Sequence, residues 1–223
     1  MAVAAGVAAE AVENNAVNKS QSGNIIAFIE FFNNTNTKMG QLVGSDAEKA
    51  MLRLNDTNFK LMPSVTPPFN GINDRYIYTT KGGWIDMVHF LFYASEAYSH
   101  KKEMMENPST SYLGLTQQEI VSKSINHAVK RGYLQEKLDS IKAPHSAYSY
   151  EDLPSDYFGA VFGASFFNPN LTLTFGQQIS SYLNNHLIAT RPETAPNYKD
   201  LPEKDVGKHS GITNKTINPL FTK

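Results

Sequence analysis

Residues 82–98 read GGWIDMVHFLFYASEAY, and no other stretch restricts the fold as much. Two glycines break the chain, and the residues after them predict a helix from Trp84 to about Met105, stopped by Pro108. Ile85, Met87, Val88, Phe90, Leu91, Phe92 and Ala94 point in nearly every direction around that helix. A helix that is apolar almost all round has no face to offer water, so other elements have to enclose it. Yet it carries Asp86, His89 and Glu96, three groups that are expensive to bury. At about 100° per residue, Asp86, His89, Tyr93 and Glu96 fall within one arc of about 80°. On a buried helix such a stripe faces a cleft or a buried polar partner rather than solvent.

A carboxylate one turn from an imidazole holds its tautomer and raises its basicity. Asp86 and His89 have that spacing, and Glu96 lies almost two turns further on. The set reads as a general acid/base group or as half of a carboxylate–histidine metal site. The alternative is a hydrogen-bonded network that only orders the core. A second polar stretch, SYEDLPSDYFGAVFGASFF at residues 149–167, places Glu151 and Asp152 ahead of a short helix starting near Ser155. Ser155 as cap and the helix dipole account for Asp156. Glu151 and Asp152 are not explained that way and are expected to face the stripe. His145 follows Pro144 in the loop before them and is a further candidate. Gly159, Ala160, Gly163 and Ala164 form one small-residue face, which lets their helix press closely on another. His127 and His186 read as ordinary surface or core histidines.

The rest of the chain is mostly α. An Ala-rich helix is expected over residues 1–17, a short amphipathic one over 24–32, and a third over 46–54 capped by Ser45 or Asp46. The alternating RYIYTT predicts a short strand before Gly82. Thr116 and Glu119 form a capping box for a helix to about Ile141, and Thr174 caps a last helix to about Ala189. Residues 63–73, rich in proline and glycine, make the best domain boundary, and the Pro-rich end reads as an extended tail. The N-terminus has no basic region of the signal-peptide kind. No run approaches the roughly 20 apolar residues that span a bilayer. The formal net charge of −1 supplies no basic field to attract nucleic acid or an anionic membrane. Local basic patches are confined to HAVKRGYLQEK and SHKK. The absence of cysteine excludes thiol nucleophiles, disulfides and cysteine-ligated zinc. There is no P-loop, GxGxxG, HExxH, GxSxG or EF-hand pattern.

Val12, Glu13, Asn14 and Asn15 give VENN, in the setting AEAVENNAVNKS. This resembles the pre-toxin motif of contact-dependent growth inhibition proteins, the CdiA family of two-partner secreted filaments. The likeness covers about the first 20 residues. Residues 74–223 also look similar to the tips of other polymorphic toxins, including Rhs-type ones. The resemblance implies a pre-toxin segment and linker at 1–22, an entry or translocation region at 23–73, and a toxin domain at 74–223. It implies secretion to the surface of a producing cell and delivery into a target bacterium, most readily its cytoplasm. The partners would be surface and inner-membrane import proteins of the target and a cognate immunity protein. VENN marks a boundary and carries no chemistry, so the candidate residues rest on the chain's own pattern.

Many toxins delivered in this way attack nucleic acid, which makes a nuclease of the RNase or tRNase type the first expectation. His89 with Asp86 would be the base, and Glu96, His145 or Glu151 the acid. The site wall would be Asp86, His89, Tyr93 and Glu96, faced by Glu151 and Asp152. No cofactor is required for RNA cleavage, whereas DNA cleavage would call for a divalent metal on Asp86, His89 and Glu96. A hydrolase acting on the cell envelope or a small metabolite is the alternative, and a toxin that disrupts the inner membrane is a third reading.

Overall fold

The computed structural model describes residues 29, 38–56, 76–107, 112–142 and 152–190. Among them the fold is mostly α, with five α-helices and one two-stranded sheet. The chain passes through a 3-10 turn, Met39–Gln41, into α1, Gly44–Arg53. A hairpin follows, with β1 at Tyr76–Thr79 and β2 at Gly83–Asp86, and leads directly into α2, Met87–Glu106. Then come α3, Gln117–Lys142, and α4, Asp152–Val161, which continues into a π-helical turn at Phe162–Phe166. The last helix is α5, Phe175–Asn185.

The enclosed helix is α2. On one side Phe90, Leu91 and Ala94 join a core built from Met39, Ala47, Met51 and Leu54 of the first segment, Ile77 and Ile85 of the hairpin, and Phe175, Ile179 and Leu183 of α5. Aromatic rings knit it, with Phe90 5.4 Å from Phe162 and 5.9 Å from Tyr182 between ring centres. On the other side Tyr93 and Ala97 meet Ala128 of α3 and Ala160 and Ala164 of the α4 segment. These small side chains bring the three helices close. A Cβ on Gly159 would collide with the Phe90 carbonyl, and one on Gly163 with the Ala94 carbonyl. The small-residue face therefore does what its composition predicts, seating α4 directly on the backbone of α2.

Local sequence explains most element ends. The Thr116–Glu119 capping box is formed, with the Glu119 carboxylate 2.8 Å from the Thr116 N–H. Thr174 closes a second capping box with Gln177 at the start of α5. Three boundaries outside α4 differ from expectation. First, α2 does not begin at Trp84. Gly83, at φ +68°, turns the chain, and residues 83–86 pair antiparallel with β1, Ile85 opposite Ile77 and Asp86 opposite Tyr76. Second, α1 starts before Ser45 and Asp46, and its N-cap Val43 makes no side-chain cap. Third, α5 ends at Asn185, because residues beyond it return to the hairpin. The Thr190 N–H donates to the Tyr78 carbonyl at 2.8 Å, and Ala189 bridges Thr79. The expected helix at 1–17, most of that at 24–32, the 63–73 boundary and the C-terminal tail lie outside the described residues. Residues 38–54, inside the expected entry region, share one core with the helices that follow.

Candidate active site

Asp86 reaches the site as a helix cap, because residues 83–86 are strand. Its carboxylate accepts the Val88 N–H at 2.8 Å, satisfying one of the free donors of α2. Its own N–H donates to Ser155 Oγ at 2.8 Å, which ties the β2–α2 junction to α4. One turn later His89 leaves α2 toward the same helix. Its Nδ1 lies 2.8 Å from Asp156 Oδ1 and its Nε2 3.6 Å from Asp152 Oδ1. Asp152 and Asp156 are four apart in α4, so one face of that helix presents both carboxylates to the one ring. One donor atom each from Asp86, His89 and Asp152 lie within 4.8 Å of one another. The Asp86 residue is 1% exposed and the His89 side chain 22%, so the cluster is buried on one side and meets solvent at the imidazole.

Electrostatics follow from that arrangement. Burial by itself would lower the His89 pKa, but the Asp152 and Asp156 carboxylates outweigh it and hold the imidazole well above its ordinary value. Burial pushes Asp156 up to about 6 against the pull of His89, with Glu136 and Asp86 adding to the rise. The second Asp156 oxygen, Oδ2, packs where a Cβ on Gly132 of α3 would sit, and it has no hydrogen-bond partner among the described residues. Glu136, 2% exposed, lies on the same helix one turn beyond Gly132. Three carboxylates, Asp86, Asp152 and Asp156, thus act on a single imidazole, and Glu136 acts on Asp156 behind it.

The remaining candidates are elsewhere. Glu96 points away from His89, toward α3 and the first segment. It pairs with Arg131 and accepts from Asn55 Nδ2 at 2.7 Å, while His127 Nε2 stands 3.9 Å off. Seven positions separate it from His89, and the intervening turns carry it to another set of partners. Tyr93 is buried with its ring centre 6.2 Å from that of His89, and burial raises its phenol far above the ordinary range, so it is a neutral wall. Glu151 and His145 lie outside the described residues.

Asp156 was assigned by sequence to the start of its helix. The helix begins at Asp152 instead, with Pro154 in its first turn, where a missing N–H costs nothing. That shift turns Asp156 from a dipole partner into an inward carboxylate. The usable signal was the spacing of Asp152 and Asp156 once Pro154 is allowed inside the helix. His127, set aside as ordinary, stacks on His100 with ring centres 4.1 Å apart.

No family model, curated protein or solved structure matches the chain. Fold and site together define a mostly helical protein with one partly exposed imidazole held between carboxylates at the junction of a hairpin and three helices.

Proposed function

We propose that this chain is an antibacterial toxin of the contact-dependent growth inhibition kind, and that it acts as a hydrolase through His89. The toxin reading rests on the VENN resemblance at residues 12–15. The hydrolase reading rests on one observation, the His89 ring gripped by Asp156 at Nδ1 with Asp152 at Nε2. Asp156 fixes the ring, and the exposed edge of the imidazole is where a proton can be exchanged with substrate or water. Asp86 and Asp152 stand ready to orient that water. Nucleic acid is the substrate that the delivery class favours, with a cognate immunity protein covering the site and import proteins of the target cell carrying it inward.

A second reading has its own support. Asp86, Asp152, Asp156 and Glu136 make the site acidic, and the chain carries no net positive charge, which suits an uncharged envelope substrate better than a bare phosphodiester. Membrane disruption is less well supported, since no helix among the described residues is long and apolar enough to cross a membrane.

The test is inducible expression of the full chain in a bacterium, with RNA and DNA gels and a membrane-potential dye read on the same cells. Cleaved nucleic acid before any loss of potential, abolished by His89→Ala in a chain that still folds, is the expected result. Intact nucleic acid with lysis moves the substrate to the envelope. Toxicity undiminished in His89→Ala would overturn the site itself.

A further inference from the structure

We infer that Asp86, His89 and Asp152 bind one divalent transition ion of the manganese or zinc type, and that Asp156 aims His89 at it. The inference deepens the reading of this site as hydrolytic, with one change: an ion held through Nε2 would activate water in place of the imidazole edge, and the binding of the ion stands on its own geometry.

The donor set comes from three places in the chain, the end of β2, the first turn of α2 and the first residue of α4, and their donor atoms already lie within 4.8 Å of one another. Metal bonds of about 2.1 Å put neighbouring donors about 3 Å apart, so a contraction of up to about 2 Å by rotation of the aspartates completes the site. The nitrogen facing Asp152 is Nε2, because Nδ1 is engaged by Asp156 at 2.8 Å. A histidine ligand whose second nitrogen donates to a carboxylate is the usual arrangement at a metal, since that partner fixes the tautomer and strengthens the ligand. Asp156 fits this role and no other in view. Its side chain is 1% exposed, and among the described residues its other oxygen has no hydrogen-bond partner and its only ion pair is with His89. A dication at Nε2 would also balance the buried Asp156 carboxylate that sits behind the ring. One imidazole with two carboxylates selects a borderline ion over magnesium or calcium, which prefer all-oxygen shells. Such an ion also answers the objection to a nucleic-acid substrate, because it lets an acidic cleft receive a phosphate.

The experiment is titration of the full chain, freed of metal with EDTA, by Mn2+ alone, reading the paramagnetic resonance signal of the free ion. Stoichiometric binding is expected, displaced by Zn2+ and unaffected by comparable Mg2+. Asp152→Asn should weaken it by tenfold or more, and Asp156→Asn by about 10- to 100-fold although it touches no ion. Asn has the size of Asp, and losing one first-turn charge costs a helix little, so Asp152→Asn keeps its fold. Glu96→Gln, in the separate cluster, should bind as the parent does. Absence of saturable Mn2+ and Zn2+ binding by the parent chain overturns the inference, as does unweakened binding in both Asp152→Asn and His89→Gln. Ion binding without any cleavage in cells leaves the ion site standing and removes the hydrolase reading. Cleavage without ion binding does the reverse.

Discussion

Gly159→Ala separates two effects that predict opposite signs. Position 159 is inside α4, where replacing glycine by alanine gains about 1 kcal/mol of helix propensity. Judged by propensity, the variant is stabilised. Packing says otherwise. An added Cβ at 159 would strike the carbonyl, C and Cα of Phe90, all backbone atoms of α2, and no rotamer can relieve that. Overpacking a well-filled core costs about 1–3 kcal/mol, and a backbone obstacle belongs at the upper end. The net is a destabilisation of about 2 kcal/mol, or roughly 4–8 °C in melting temperature for a chain of this size. The site should feel it too. Restoring a van der Waals gap requires α4 to move off α2 by about 1 Å, and the His89–Asp156 bond, 2.8 Å long, would then exceed hydrogen-bond range. Thermal melting by circular dichroism and the imidazole NMR shifts of His89 read both consequences. A Gly159→Ala protein that melts at or above the parent temperature with His89 unshifted would refute the close seating of α4 on α2.

Other outcomes follow from the same packing. Arg131→Met should be more destabilising than Glu96→Gln, by about 1–3 kcal/mol in chemical denaturation, because it strands a buried carboxylate while the reverse change leaves a half-exposed guanidinium to water. The fragment 74–223 lacks Met39, Ala47, Ala50, Met51 and Leu54 of the shared core. Truncating one such methionine costs about 2–5 kcal/mol, so the fragment should lose the cooperative melting that the full chain shows, and identical melting curves would count against the shared core. His100 is held below its usual value of 6.5 by burial and by the stacked His127, so the folded state favours the neutral ring. A depressed pKa contributes stability that is full above 6.5 and lost as pH falls. His100→Phe should flatten the loss of stability on acidification below that pH, followed by urea unfolding at several pH values. An unchanged slope would contradict it.

Much of this was legible because local chemistry decides it. The capping box at Thr116, the cap at Thr174, the strand at Tyr76 and the small-residue face of α4 need no knowledge of the rest of the chain. The start of α2 was misjudged for a physical reason. Trp84 and Ile85 continue the apolar run, and periodicity cannot tell a buried strand from the first turn of a buried helix. Asp86 itself was the better signal, an N-cap residue directly before the long helical stretch. The return of residues 187–190 to the hairpin was not legible, since its bonds join backbone groups more than a hundred positions apart. Nor was Arg131 as the partner of Glu96, which depends on how α3 crosses α2.

That last pairing separates the two halves of the polar stripe. Read from angles, Asp86, His89 and Glu96 were one set. Glu96 has a cation in Arg131 and an amide in Asn55, so its charge and its lone pairs are matched. Such a network fixes where α2, α3 and the first segment meet, and the bland reading of a buried acid suffices for it. Around His89 three carboxylates, Asp86, Asp152 and Asp156, act on one imidazole, and α4 contributes two of the three on a single face. The second Asp156 oxygen has no hydrogen-bond partner among the described residues, although that side chain is 1% exposed. A buried acceptor left open beside a partly exposed histidine is not what packing alone would retain, and it is why the proposed function is placed at the His89 end of α2 and not at Glu96.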